Sequence, residues 1–367
     1  MIFLANSTYH LWVPIYIFNG GEYKSPFMVT LIIFEFLISV FCVLYTLKLC
    51  ELIWKIRVFH VNMSILAVAY LIQYIECFVG KWLMMGHQTG LIGVEGVPSN
   101  RTYMNWWTSD QFSIPRVQNP SELLPLLIGG CLIWHYLFSM IGFIFSFCAE
   151  RAIATLLSED YEKHQRRYIS SAILIISHVV TIYLSYQTFT EKVEFVPTVM
   201  GCMICVSTSC VTFVIIMFVN LKINKLQSSS GGLIFYTLAF RFQVKENIRA
   251  LKLAYRVLVC IGVYIFVLCI VLFTLFFDVF PSFNQFLIFL LENCIYLNPL
   301  VICSVVFYSI EPWQKALIRE CPIFKSRAFV CIFSSSKHGA VSSKSSFGYQ
   351  QTTDLYFTQL QTSWLKK

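Results

Sequence analysis

Seven apolar stretches, each long enough to cross a bilayer as a helix, limit this chain more than any other feature. A hydrocarbon core about 30 Å thick takes about 20 consecutive apolar residues, because lipid leaves no partner for an unpaired backbone N–H or C=O. The stretches run from Phe27 to Leu47, Val61 to Leu83, Leu123 to Ala149, Tyr168 to Gln187, Val196 to Leu221, Val257 to Phe277 and Ser282 to Tyr308. Lys81, near the end of the second, is counted with the connection that follows it, so no span core is expected to hold Lys or Arg. Hydrophobic residues make up 57% of the 367 and charged ones 13%, about half the charged share of a soluble domain, with a mean hydropathy of +0.69. The expected fold is an all-α integral membrane protein, a seven-transmembrane helix bundle.

Orientation is read from the basic residues. Lys24, Lys81, Arg101, Arg116 and Lys192 fall on one side of the spans, and all the rest of the 27 fall on the other. Lys and Arg accumulate in cytoplasmic loops, so the N-terminus is expected outside and the C-terminus in the cytosol. Two glycosylation sequons, at Asn6 and Asn100, lie on the exterior side. A third, at Asn62, sits at a cytoplasmic helix end and is read as chance. The first 26 residues, with Pro14, Asn19, Gly20 and Gly21, lack the uninterrupted apolar run of a cleaved leader. The formal charge of +8 follows from the loop asymmetry and suits contact with anionic lipid heads, not nucleic acid.

The chain divides into an exterior segment (1–26), the bundle (27–308), a short amphipathic surface helix (309–321) and a tail (322–367) expected to be disordered. Pro312 suits a first helical turn, and Trp313 and Leu317 share a face. Cys321, at the end of that helix, is a candidate for palmitoylation. The other cysteines, apart from Cys50 and Cys331, fall within spans, and the CxxC at Cys202 and Cys205 reads as packing, so no metal or cofactor is expected. The long exterior connection from Met84 to Glu122 carries Trp106 and Trp107. These suit interfacial anchors better than a lid over the bundle mouth.

Two dipeptides stand out by their positions. Glu150-Arg151 ends the third span and Asn298-Pro299 lies in the seventh, and together they resemble the switch positions of rhodopsin-like G-protein-coupled receptors. Ala152 and Ile302 depart from that pattern, the second exterior loop has no cysteine, and span 7 has no lysine for a retinal Schiff base. A fuller resemblance is to the nematode serpentine receptor class epsilon. It is carried by Asn6-Ser7-Thr8 with Trp12-Val13-Pro14-Ile15-Tyr16, by Glu150 to Thr155 running into Glu159-Asp160-Tyr161-Glu162, and by Arg241-Phe242-Gln243-Val244-Lys245-Glu246-Asn247-Ile248-Arg249. That resemblance implies a chemosensory receptor in the membrane of a sensory neuron, at its cilium, with a small-molecule ligand and a heterotrimeric G protein as partners. Glu150, Arg151, Asp160, Tyr161, Arg241, Phe242, Asn298 and Pro299 are the coupling candidates. The stretch from Leu238 to Arg256 suits either a cytosolic extension of the sixth helix or an amphipathic stretch resting on lipid heads.

Ligand contact is expected in the outer half. A rise of ~1.5 Å per residue places Glu35 about 12 Å deep, Glu76 about 10 Å, Glu292 about 14 Å and His135 about 18 Å. Helical spacing adds Cys131, Ser139 and Gly142 to the face of His135, and Gln285 and Tyr296 to that of Glu292. Buried acids turn inward, so an outward-opening polar cavity is expected, its carboxyls protonated or awaiting a cationic ligand. Tyr183, Tyr186 and Phe289 are further lining candidates. An enzyme is not expected, since neither His135 nor His178 has a metal-type ligand three or four residues further along its helix. The competing class is an ion or solute transporter that uses Glu35, Glu76 and Glu292 as a relay.

Overall fold

A computed structural model describes residues 1–5, 9–104, 114–117, 119–157, 166–192, 195–229 and 238–320. The helices are α1 (Pro26–Lys55), α2 (Val61–Ile72), α3 (Tyr74–Gln88), α4 (Leu124–Leu156), α5 (Arg167–Phe189), α6 (Phe195–Ser229), α7 (Leu238–Phe276), α8 (Asn284–Tyr296), α9 (Asn298–Ser309) and α10 (Glu311–Glu320). They supply seven spans long and apolar enough to cross a membrane, α2 with α3 forming the second and α8 with α9 the seventh. Their outer faces are apolar. Ile33 and Leu37 on α1, Ile176 and Val179 on α5, and Val263 and Phe266 on α7 are all exposed, a surface that only lipid matches in polarity. The seven-transmembrane expectation is borne out.

Local chemistry explains the helix ends and breaks. Ser25 caps α1 by accepting from the Met28 amide, and Pro26 fills the first position, where a missing N–H costs nothing. Between α8 and α9 the chain turns at Leu297, because Pro299 cannot donate to the carbonyl four residues back. That carbonyl, on Ile295, instead accepts from Asn298 Nδ2 at 3.0 Å. The sequence therefore carries both the break and its repair in adjacent residues.

Small residues bring α3 and α4 together. A methyl group added to Gly129 would stand 2.7 Å from the Gly80 carbonyl oxygen, and one on Gly80 2.9 Å from that of Gly129. Only two glycines permit that crossing, the usual device of helices packed without a hydrophobic driving force.

The residues before α1 build a cap over one end of the bundle. β1 (Ile2–Ala5) pairs antiparallel with β2 (Tyr9–Trp12) and parallel with β3 (Arg116–Val117), in the order β2-β1-β3. Phe18 bridges to Tyr103 in the long α3–α4 connection. Met1, Phe3, Val13, Ile15 and Phe18 are buried in the same apolar cluster as Tyr74, Tyr136 and Tyr296 of the spans. The N-terminal segment thus seats inside the mouth of the bundle. Trp106 and Trp107 lie outside the described residues.

Candidate functional sites

At the capped end, Glu35 on α1, Lys81 on α3 and Glu292 on α8 are each about 2–3% exposed. The Lys81 ammonium pairs with Glu35, and its nitrogen stands 4.3 Å from the centre of the Tyr296 ring. Glu292 accepts from Gln88 Nε2, 2.8 Å from both carboxylate oxygens, and from the Tyr16 backbone amide. The same Gln88 nitrogen stands 3.3 Å from the Tyr23 hydroxyl. The expectation that no span holds a Lys or Arg is overturned. α3 runs to Gln88, so Lys81 lies seven residues, about 10 Å, inside the helix end. A buried carboxylate there has a cation and hydrogen-bond donors of the chain's own.

The expected outward-opening cavity is filled. Val13, Ile15, Ile17 and Phe18 are at most 1% exposed in the space that Glu35 and Glu292 were expected to border. Tyr183 and Tyr186 are 59% and 56% exposed on α5, away from the buried interior. Gln285 is half-buried in the first turn of α8.

Glu76 and His135 do meet, but between helices and with a third partner. His135 Nδ1 stands 2.6 Å from Glu76 Oε2, and its Nε2 stands 3.3 Å from Nδ1 of His178 on α5. Ser139 hydrogen-bonds Thr181 at 3.5 Å. A search along single helices misses this grouping because its members come from α3, α4 and α5. Among the described residues no set of three His, Cys, Asp or Glu is placed to hold a metal ion.

At the opposite end Glu150 and Arg151 are fully buried. Arg151 donates through Nε and Nη2 to the two oxygens of Glu150, the second at 2.7 Å, and through Nη1 to Asn247 Oδ1 on α7 at 2.8 Å. Asn247 Nδ2 reaches Thr155 Oγ1 at 3.2 Å and Asn220 Oδ1 on α6 at 3.3 Å, and Asn220 Nδ2 reaches Thr155 at 3.1 Å. The result is a latch across α4, α6 and α7. Beside it, Glu246 accepts from the backbone N–H of His60, whose imidazole is pushed down to about 4 by burial first and by the Arg151 charge second. Asn220 was missed because a lone Asn in a span has no sequence signature. Asn247 stood in a motif with no chemistry assigned to it.

Asn298 faces Tyr136 of α4, its Nδ2 2.7 Å from the tyrosine oxygen, and Pro299 is buried. Arg241 and Phe242 fall in the first turns of α7, a single helix from Leu238 to Phe276. Asn100 is exposed in the α3–α4 connection. Asn62, by contrast, is buried, its Nδ2 3.2 Å from the Arg166 carbonyl, as suits a chance sequon. Asn6, Asp160, Tyr161 and Cys321 lie outside the described residues.

Between the two sites lies a cavity of about 450 Å³ with an almost wholly apolar lining. Met63 and Leu66 of α2, Met140 and Ile144 of α4, and Ile261 and Tyr264 of α7 are among its walls.

A bundle with a buried Glu-Arg pair at one end and an Asn-Pro break facing α4 matches one family model, the Sre G protein-coupled chemoreceptor, over residues 1–365. The chain belongs to the Sre family. It is 33% identical over 365 residues to serpentine receptor class epsilon-38 of Caenorhabditis elegans, covering 98% of each chain. Serpentine receptor class epsilon-37 and epsilon-32 of the same nematode are 26% and 29% identical, over 99% and 97% of their own lengths. No solved structure matches. Membership makes the protein a multi-pass membrane receptor of chemosensory type.

Proposed function

We propose that this Sre protein binds a small-molecule cue within its helix bundle and passes the signal to a heterotrimeric G protein at the end bearing Arg151. The observation that carries this reading is the latch, in which one guanidinium ties Glu150 of its own helix to Asn247 of α7. A latch of neutral amide to guanidinium holds α7 against α4 without the cost of parting two opposite charges. Its release frees the basic inner segment of α7, with Lys245, Arg249, Lys252 and Arg256 along one concave flank, to meet a partner. By the distribution of basic residues that end faces the cytosol, and the capped end faces outward. On this reading Asn6 and Asn100 carry glycans, Cys321 carries a lipid, and the receptor works in the plasma membrane of a sensory neuron, at its cilium.

Two substitutions test coupling. Arg151→Ala is expected to abolish G-protein activation at matched surface expression, and Asn247→Ala to raise basal activation by loosening α7. Signalling that survives the first and is unmoved by the second would reduce Arg151 to an anchor. An ion-flux assay on the same cells separates a receptor from a transporter.

A further inference from the structure

The chamber between α2, α4, α7 and the α8–α9 break is far larger than the voids that packed helices leave by chance. Its size falls within the roughly 300–1,000 Å³ of small-molecule sites. An apolar void of that volume is costly to leave empty, and water gains nothing by entering it, so its natural occupant is apolar. The polar groups at its rim narrow the choice further. Tyr74 donates to the Tyr296 carbonyl at 2.9 Å, Tyr136 exchanges hydrogen bonds with Asn298, and Tyr70 is held by Ser146 and Ser177. Tyr264 also lines the chamber, and its hydroxyl has no hydrogen bond among the described residues. Among the described residues, no acid or base lines the space.

Building on the receptor reading above, we infer that the cue is a neutral, largely apolar molecule with one hydrogen-bond acceptor, held in this chamber with Tyr264 as donor. The acids at the capped end are not its contacts. Glu35 and Glu292 have partners within the chain, and the N-terminal segment fills the space beside them. The chamber is also well placed to signal. Leu253 and Ala254 line its inner end, only six or seven residues, roughly 10 Å along α7, from Asn247 of the latch. A molecule that fits better when α7 stands away from α4 would shift the population toward the released state.

The test uses the full chain, purified in lipid nanodiscs, and a homologous series of straight-chain methyl esters from butanoate to tetradecanoate, with octanoate and octylammonium as charged counterparts. Thermal stabilisation is expected to rise with chain length, pass through an optimum and fall once the chamber is full, with no effect from either charged probe. Ile261→Trp should remove the stabilisation, and Tyr264→Phe should weaken apparent affinity about fivefold, the share of one hydrogen bond. A diazirine-bearing ester should label the segment from Leu253 to Leu268 in the wild type, which decides the matter even if the tryptophan variant does not fold. Stabilisation that climbs steadily with length and ignores Ile261→Trp would mean partition into lipid and overturn the proposal. So would stabilisation by a charged probe alone, or none by any ester. Asn247→Ala in the same nanodiscs, assayed for basal G-protein activation, tests the receptor reading separately, so a failure of one is not mistaken for a failure of the other.

Discussion

Lys81 shows what one residue does when a helix runs five residues past its expected end at Leu83. An ammonium in a bundle is tolerable only with a counter-charge, and Glu35 supplies it from α1. Lys81→Met is therefore expected to destabilise the protein by about 3–5 kcal/mol, because Glu35 is left buried and unpaired. The double change Lys81→Met, Glu35→Leu should recover most of that loss, as read by thermal unfolding in detergent. His60 gives a second prediction at this scale. Its imidazole titrates near 4 in the folded chain, below its ordinary 6.5, since burial disfavours the cation and Arg151 stands close by. Between those values the unfolded chain binds a proton that the folded one does not. Stability is thus whole above pH 6.5 and falls as pH drops toward 4. Thermal unfolding at a series of pH values should show this slope, and His60→Asn should flatten it.

At the scale of elements, the α3–α4 crossing rests on Gly80 and Gly129. Their carbonyls stand where a β-carbon would go, so Gly129→Leu cannot be accommodated by a rotamer change alone. A loss of about 1–3 kcal/mol and reduced surface expression are expected. Gly142→Ala is the control on the same helix, since an added methyl there meets Ser177 Oγ at an ordinary 3.5 Å. Comparable loss in both variants would mean that α4 tolerates no enlargement anywhere, and the close crossing would lose its special role. The break between α8 and α9 obeys the same logic of local repair, with Asn298 holding both the freed Ile295 carbonyl and the Tyr136 hydroxyl of α4.

For the molecule as a whole, the cap built from the N-terminal hairpin and the α3–α4 connection closes one mouth of the bundle, and the latch at Arg151 closes the other. The two ends are predicted to face opposite sides of the membrane. Enzymatic deglycosylation of the protein from animal cells should shift its mobility, and should leave the double variant Asn6→Gln, Asn100→Gln unmoved. A glycan found on the tail after Glu320 would reverse the orientation and place Arg151 outside, where no G protein could meet it.

The sequence by itself determined the seven spans, since a run of apolar residues is a local property and a bilayer accepts only backbone that satisfies itself. The cap at Ser25 and Pro26 and the break at Asn298 and Pro299 are local in the same sense, each residue acting on neighbours a turn away, but they came to light only with the helix ends themselves. The sequence pointed to Arg151 because Glu150-Arg151 at the end of the third span occurs together with Asn298-Pro299 in the seventh, the pairing that resembles receptor switch positions. What tertiary structure decided was partnership. Glu35 with Lys81, Glu76 with His135 and His178, and Arg151 with Asn247 each join residues dozens of positions apart. Helical spacing tells which side of a helix a residue occupies but not which helix stands opposite. For the same reason the acids of the outer half looked like a vacant polar site. The chain's own N-terminal segment fills that space, and the open volume lies deeper, among residues that read singly as ordinary core.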